Sequence, residues 1–328
     1  MIEKYYNGVI EQVAGGIGNV EHNSILVRYS NDFSIWDLES VNHYKDQTDI
    51  FFTCHEFSYN KIAEAYEPYL GLIRQMFHKY CSGTLEEFME ECDVYKLQRP
   101  VFESYFEKGF CERTEQILID EVEYEQERMH SSIVTMLQKL SEICPIVIVL
   151  NRFQLASKST MQLTNRLLQT KNKNIGIVLG VNDVQSIPEF AHEEWDAICE
   201  SMDDRNMVYH IGNAGRNMEP DVMDYYSDYE SDDGYRKLNN LVYFLDFDQA
   251  DHHLSKIERR IKFDNFTISE KKHYQLLLLQ IMLPVLLNSS MSTSRYTFIC
   301  QRRTRVITSF DICSCSAFLP SITIVFRR

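Results

Sequence analysis

Three stretches of this sequence gather residue types that metal or phosphate chemistry uses. The first is DFDQADHH, in which Asp246, Asp248 and Asp251 precede His252 and His253. Carboxylates and imidazoles together are typical ligands of a divalent metal, and an Asp-His-His run occurs in phosphoesterases. Adjacent side chains on a helix diverge by about 100°, so the two histidines cannot easily face one ion without distant ligands. The run therefore reads as the solvated start of a helix. The second stretch is Gly15-Gly16-Ile17-Gly18. A phosphate loop must follow a strand and open a helix, so that backbone amides and the helix dipole face the anion. These glycines precede the first strand and no Gly-Lys-Ser/Thr follows, which makes them a turn. The third, His192-Glu193-Glu194, lacks the second histidine of a zinc-protease helix. No serine nucleophile elbow and no paired Cys/His motif is recognisable. No catalytic acid, base or nucleophile is nominated, and neither a metal nor a cofactor is expected.

Of the nine cysteines, Cys54, Cys81, Cys92, Cys111, Cys144 and Cys199 are scattered singly. They are expected to be reduced thiols, mostly buried. Cys313 and Cys315 form a close pair, but no second pair at metal-ligand spacing accompanies them.

Composition narrows the function classes. With 328 residues, 44% of them hydrophobic, the chain is long enough for one large domain or two ordinary ones. Only 12 glycines and 7 prolines, against 19 tyrosines and 19 phenylalanines, argue against low-complexity disorder. A formal net charge of −15 opposes association with phosphate backbones, so nucleic acid is not an expected partner. The longest apolar run, residues 276–287, is far shorter than the roughly 20 residues that span a bilayer. Neither a membrane span nor a secretory signal is visible, so the expected location is the cytoplasm.

The elements that must position any site follow from patterning. Residues 24–29 (SILVRY), 49–54 (DIFFTC), 145–150 (PIVIVL), 175–181 (IGIVLGV) and 207–211 (MVYHI) are short β-branched or aromatic runs. Two of them, PIVIVL and IGIVLGV, are apolar on both faces, as strands are when helices cover both sides of a parallel sheet. Between them lie amphipathic helices. Pro68 suits the first turn of a helix ending near Tyr80, and Thr84-Leu85-Glu86-Glu87 fits a capping box. A long segment, 112–143, carries Ile117, Val122, Met129, Ile133, Met136, Leu140 and Ile143 at mostly three- and four-residue spacings. The strand at 145–150, a helix at 157–169 with Met161, Thr164, Leu167 and Leu168 inward, and the strand at 175–181 form a βαβ unit. The fold class is α/β: a parallel sheet with helices on both faces, followed by a short helical segment.

Beyond residue 211 the character changes. Residues 219–233 hold seven carboxylates and no base, which reads as an exposed linker or, alternatively, a surface for basic partners. Residues 249–263 and 269–287 read as two helices joined by a polar turn, the way a helical repeat array begins. Residues 289–328 use six arginines, one acid (Asp311) and no lysine. Such a switch suits either a reading-frame change in a truncated product or a basic arm for an acidic partner. The expected organisation is an N-terminal segment 1–23, an α/β domain 24–215, an acidic linker 216–237, a helical segment 238–288 and the basic tail 289–328.

The order of elements over residues 20–215 resembles the P-loop ATPase core of STAND-type signalling ATPases. In that family a buried strand ends in an acidic Walker B site and the next strand ends in a polar sensor. The resemblance places Asn151 where the metal-orienting aspartate would stand, and Asn182-Asp183 at the sensor. Where the family has a Gly-rich loop, lysine and Ser/Thr, this chain has Ser30-Asn31-Asp32-Phe33. Loss of the lysine and of the Walker B carboxylate removes the electrostatic stabilisation that phosphoryl transfer requires. The resemblance thus implies a degenerate, non-hydrolysing ATPase fold whose vestigial crevice is marked by Ser30, Asn31, Asn151 and Asn182. The whole chain also resembles the N-terminal regulatory region of some large bacterial diguanylate cyclases, in which an ATPase-like module and tetratricopeptide-type helices precede a GGDEF domain. No GGDEF motif occurs here. That likeness implies a non-catalytic regulatory module with protein partners, engaged by the helical segment and the acidic loop. The alternative is an active ATP-binding or ATP-hydrolysing signalling ATPase with an atypical site near Ser30, Asn151 and Asn182, into which Arg28 or Arg152 would point.

Overall fold

The computed structural model describes residues 2–19, 23–30, 34–45, 49–58, 61–109, 122–183, 187–188, 191–203 and 208–211, with residues 237, 238, 240, 241, 244, 246, 249, 250, 252 and 253. Asn31, the acidic stretch 219–233, the helix expected at 269–287 and the tail 289–328 lie outside the described residues.

Five strands, β1 (Ser24–Tyr29), β2 (Phe51–Glu56), β3 (Ile146–Asn151), β4 (Ile175–Asn182) and β5 (Val208–Ile211), form one sheet in the order β2-β3-β4-β1-β5. Every pairing is parallel. The interior strands β3 and β4 are buried at every position, as their two-sided apolar sequences require, whereas each residue of the edge strand β2 is half-buried. That edge position explains why β2 starts two residues later than DIFFTC suggests. Phe51 N donates to Pro145 O at 2.7 Å and begins the ladder, while the half-open end accommodates the polar His55 and Glu56.

Two hydrophobic cores lie on opposite sides of the sheet. One is covered by helices α1 (Ile2–Gly15) and α2 (Glu39–Lys45). The other holds α3 (Tyr69–Tyr80), α4 (Leu85–Glu91), α5 (Arg99–Lys108), α6 (Val122–Ile143), α7 (Lys158–Thr170) and α8 (His192–Asp203). The helix after β1 thus lies on one face and the helix after β4, its neighbour in the sheet, on the other. In open α/β sheets such a topological switch point is where ligands bind, outside the carboxyl ends of the strands.

The N-terminal segment expected at residues 1–23 contains a helix, α1. Its signal is present: Tyr6, Val9, Ile10, Val13 and Ala14, all at most 5% exposed, fall on one helical stripe. Burial of Val9, Ile10 and Val13 contributes about 1.5–3 kcal/mol each. Gly176 and Gly180 of β4 make room for this helix. A Cβ at Gly176 would lie 2.7 Å from Val13 Cγ1, and one at Gly180 would collide with Tyr6 Oη. The three-glycine stretch that follows is a turn, as its sequence suggests, with Gly18 at φ 96° and its amide donating to Lys173 O at 2.7 Å.

Other expectations are adjusted by a residue or two. Between β1 and β2 the chain forms a 3-10 turn, Ile35–Asp37, and then α2, the two separated because Leu38 is in extended conformation. Pro68 immediately precedes α3 rather than occupying its first turn. The capping box forms as read: Glu87 N donates to Thr84 Oγ1 and Thr84 N donates to Glu87 Oε2. Helix α7 has Ser157 as N-cap, and Met161, Thr164, Leu167 and Leu168 are buried. In α6, Met129, Ile133, Met136 and Leu140 point inward, but Ile143 is 53% exposed because Cys144, four residues past Leu140, takes the inward position. Cys92 and Cys144 are buried and Cys54, Cys81 and Cys199 half-buried, all as free thiols.

Within the DFDQADHH run, expected to be solvated, the described residues Asp246, Gln249, Ala250 and His253 are buried. Asp246 is 3% and Gln249 1% exposed, and Leu238, Leu241, Phe244 and Ala250 join the same core as α3 to α8. The buried core therefore includes residues on both sides of the stretch read as a linker. Among the described residues no group of three or more His, Cys, Asp and Glu is placed to hold a metal ion. No helix among them is long and apolar enough to cross a membrane.

Candidate functional site

The carboxyl ends of β1, β2, β3 and β4 carry Tyr29, Glu56, Asn151 and Asn182 respectively. Side chains alternate along a strand, and Val147, Val149 and Val178 belong to the α1/α2 face, so Asn151, Gly180 and Asn182 share that face. Register pairs Glu56 with Asn151 and Tyr29 with Asn182. Of the residues marked from sequence, Asn151 and Asn182 thus come to the same rim, beside the half-buried Ser30. The peptide of Asn182 is tied down: its N–H donates to Gln154 Oε1 at 3.4 Å, its carbonyl accepts from Gln154 Nε2 at 3.5 Å, and the next amide, Asp183 N, donates to Tyr29 O at 2.8 Å.

Asn151 is occupied in another way. Tyr29 Oη donates to Asn151 Oδ1 at 2.6 Å, reaching from β1 to β3 across the intervening β4. The bridge is possible because the β4 residue beneath it is Gly180, where a Cβ would come within 2.6 Å of Asn151 Oδ1. Tyr6 of α1 enters the same space, and Tyr6, Tyr29 and Asn151 are each 0% exposed. Burial raises the Tyr6 phenol well above its ordinary pKa, with Tyr29 and Glu56 adding to the rise. The two tyrosines come together above Gly180 only in the folded chain, where Tyr29 alone hydrogen-bonds the Asn151 amide.

A charged pair completes the rim. Glu56 accepts from Ser34 Oγ at 3.2 Å and lies 3.6 Å from Arg152 Nη2, with side chains 11% and 20% exposed. Arg152 follows Asn151 directly and holds the left-handed backbone conformation, φ 52°, which costs a non-glycine residue on the order of 1 kcal/mol. Arg28 stands elsewhere. It projects among α8 residues, with Nη1 3.5 Å from Asp183 Oδ1, Nη2 3.1 Å from Cys199 Sγ and its guanidinium 5.8 Å above the Trp195 ring.

No protein-family model, curated protein or solved structure matches this chain. The residues at the strand-end rim do not fit a magnesium nucleotide: the Walker-B-like position is a neutral amide already hydrogen-bonded, and the nearby carboxylate, Glu56, is compensated by an arginine. On the opposite face His55 lies 3.5 Å from Glu67 Oε1. Burial, reinforced by Lys61, lowers its imidazole to about 4, so it meets Glu67 as a neutral ring at pH 7.

Proposed function

We propose that this chain is a non-catalytic regulatory and interaction module built on a degenerate nucleotide-binding α/β fold, of the kind that precedes helical repeats in bacterial diguanylate cyclases. It acts in the cytoplasm on protein partners, reached through its helical segment and acidic loop. The observation that carries this reading is the Tyr29–Asn151 hydrogen bond, buried with Tyr6 at the switch point. Catalysis of phosphoryl transfer depends on cations and carboxylates pre-arranged about the reacting phosphate, and here a phenol donates to the oxygen of a neutral amide instead. The parallel sheet and its switch point support a nucleotide-fold ancestry without requiring activity.

Calorimetry of the full chain with ATP and Mg²⁺ tests the reading. Absence of binding at millimolar concentration is expected, and measurable turnover overturns it. Glu56 favours a second reading, an ATP-dependent enzyme with an atypical site, because it supplies a carboxylate on the strand beside Asn151, in register with it. Under that reading Glu56→Gln abolishes turnover.

A further inference from the structure

We draw no further inference here: the strongest candidate, the side-chain cluster between β1 and α8 in which Arg28 Nη2 donates to Cys199 Sγ at 3.1 Å beside the Trp195 ring, rests on a single half-buried cysteine, and nothing among the described residues around it points to a ligand or reactant.

Discussion

Tyr29 and Asn151 belong to strands that are not neighbours, yet their side chains hydrogen-bond at 2.6 Å over a glycine of the strand between them. Replacing Tyr29 by Phe keeps the ring and removes the donor, leaving Asn151 Oδ1 buried without it. The expected loss is about 1–2 kcal/mol of unfolding free energy, read from urea denaturation. An unchanged midpoint would mean that water takes the place of the phenol at no cost.

Gly180 is the floor of that bridge. Gly180→Ala drives a methyl group into Tyr6 Oη and to 2.6 Å from Asn151 Oδ1, both on side chains that are 0% exposed. Overpacking of this kind costs about 1–3 kcal/mol. Combining it with Tyr6→Phe removes the nearest clashing atom, so the double variant should be more stable than the sum of the single losses implies, a positive coupling in a double-mutant cycle.

Two buried imidazoles make stability depend on pH. Burial lowers both His55 and His130 to about 4, with Lys61 contributing at the first and Arg166 at the second. Unfolding restores an ordinary value of about 6.5, so between these pH values the unfolded chain binds more protons. Their contribution is fully present above about pH 6.5 and is lost as pH falls toward 4, by at most about 3 kcal/mol for each histidine. Denaturant midpoints at pH 7.5 and 5 should differ accordingly, and His55→Gln or His130→Gln should flatten the dependence. Equal slopes in variants and parent would assign the effect to other groups.

Helix α7 ends on Lys171, exposed and left-handed at φ 50°, whereas α5 ends on Gly109 at φ 78°. Glycine carries no penalty in this conformation. Lys171→Gly should therefore raise stability by about 0.5–1 kcal/mol, visible as a higher thermal midpoint, and Gly109→Ala should lower it.

The sequence by itself determined what is local: five strands within two residues of their true starts, the capping box at Thr84, the cap at Ser157 and the inward stripe of α7. Such features depend on side-chain period and on groups a few residues apart, which a linear reading contains. Helix α1 is equally local, its buried stripe running from Tyr6 to Ala14. Asn151 and Asn182 are assigned to the crevice by the family resemblance, each at the end of a strongly apolar strand.

What only the tertiary structure decided is which distant groups satisfy one another. Tyr29 and Asn151 are 122 residues apart, and Ser159 and Asp246 are 87. A buried polar atom needs a partner within about 3 Å, and sheet order with helix docking selects that partner, whereas composition and spacing constrain only near neighbours. For that reason DFDQADHH read as a solvated helix start, while in the fold its first carboxylate serves a helix far upstream.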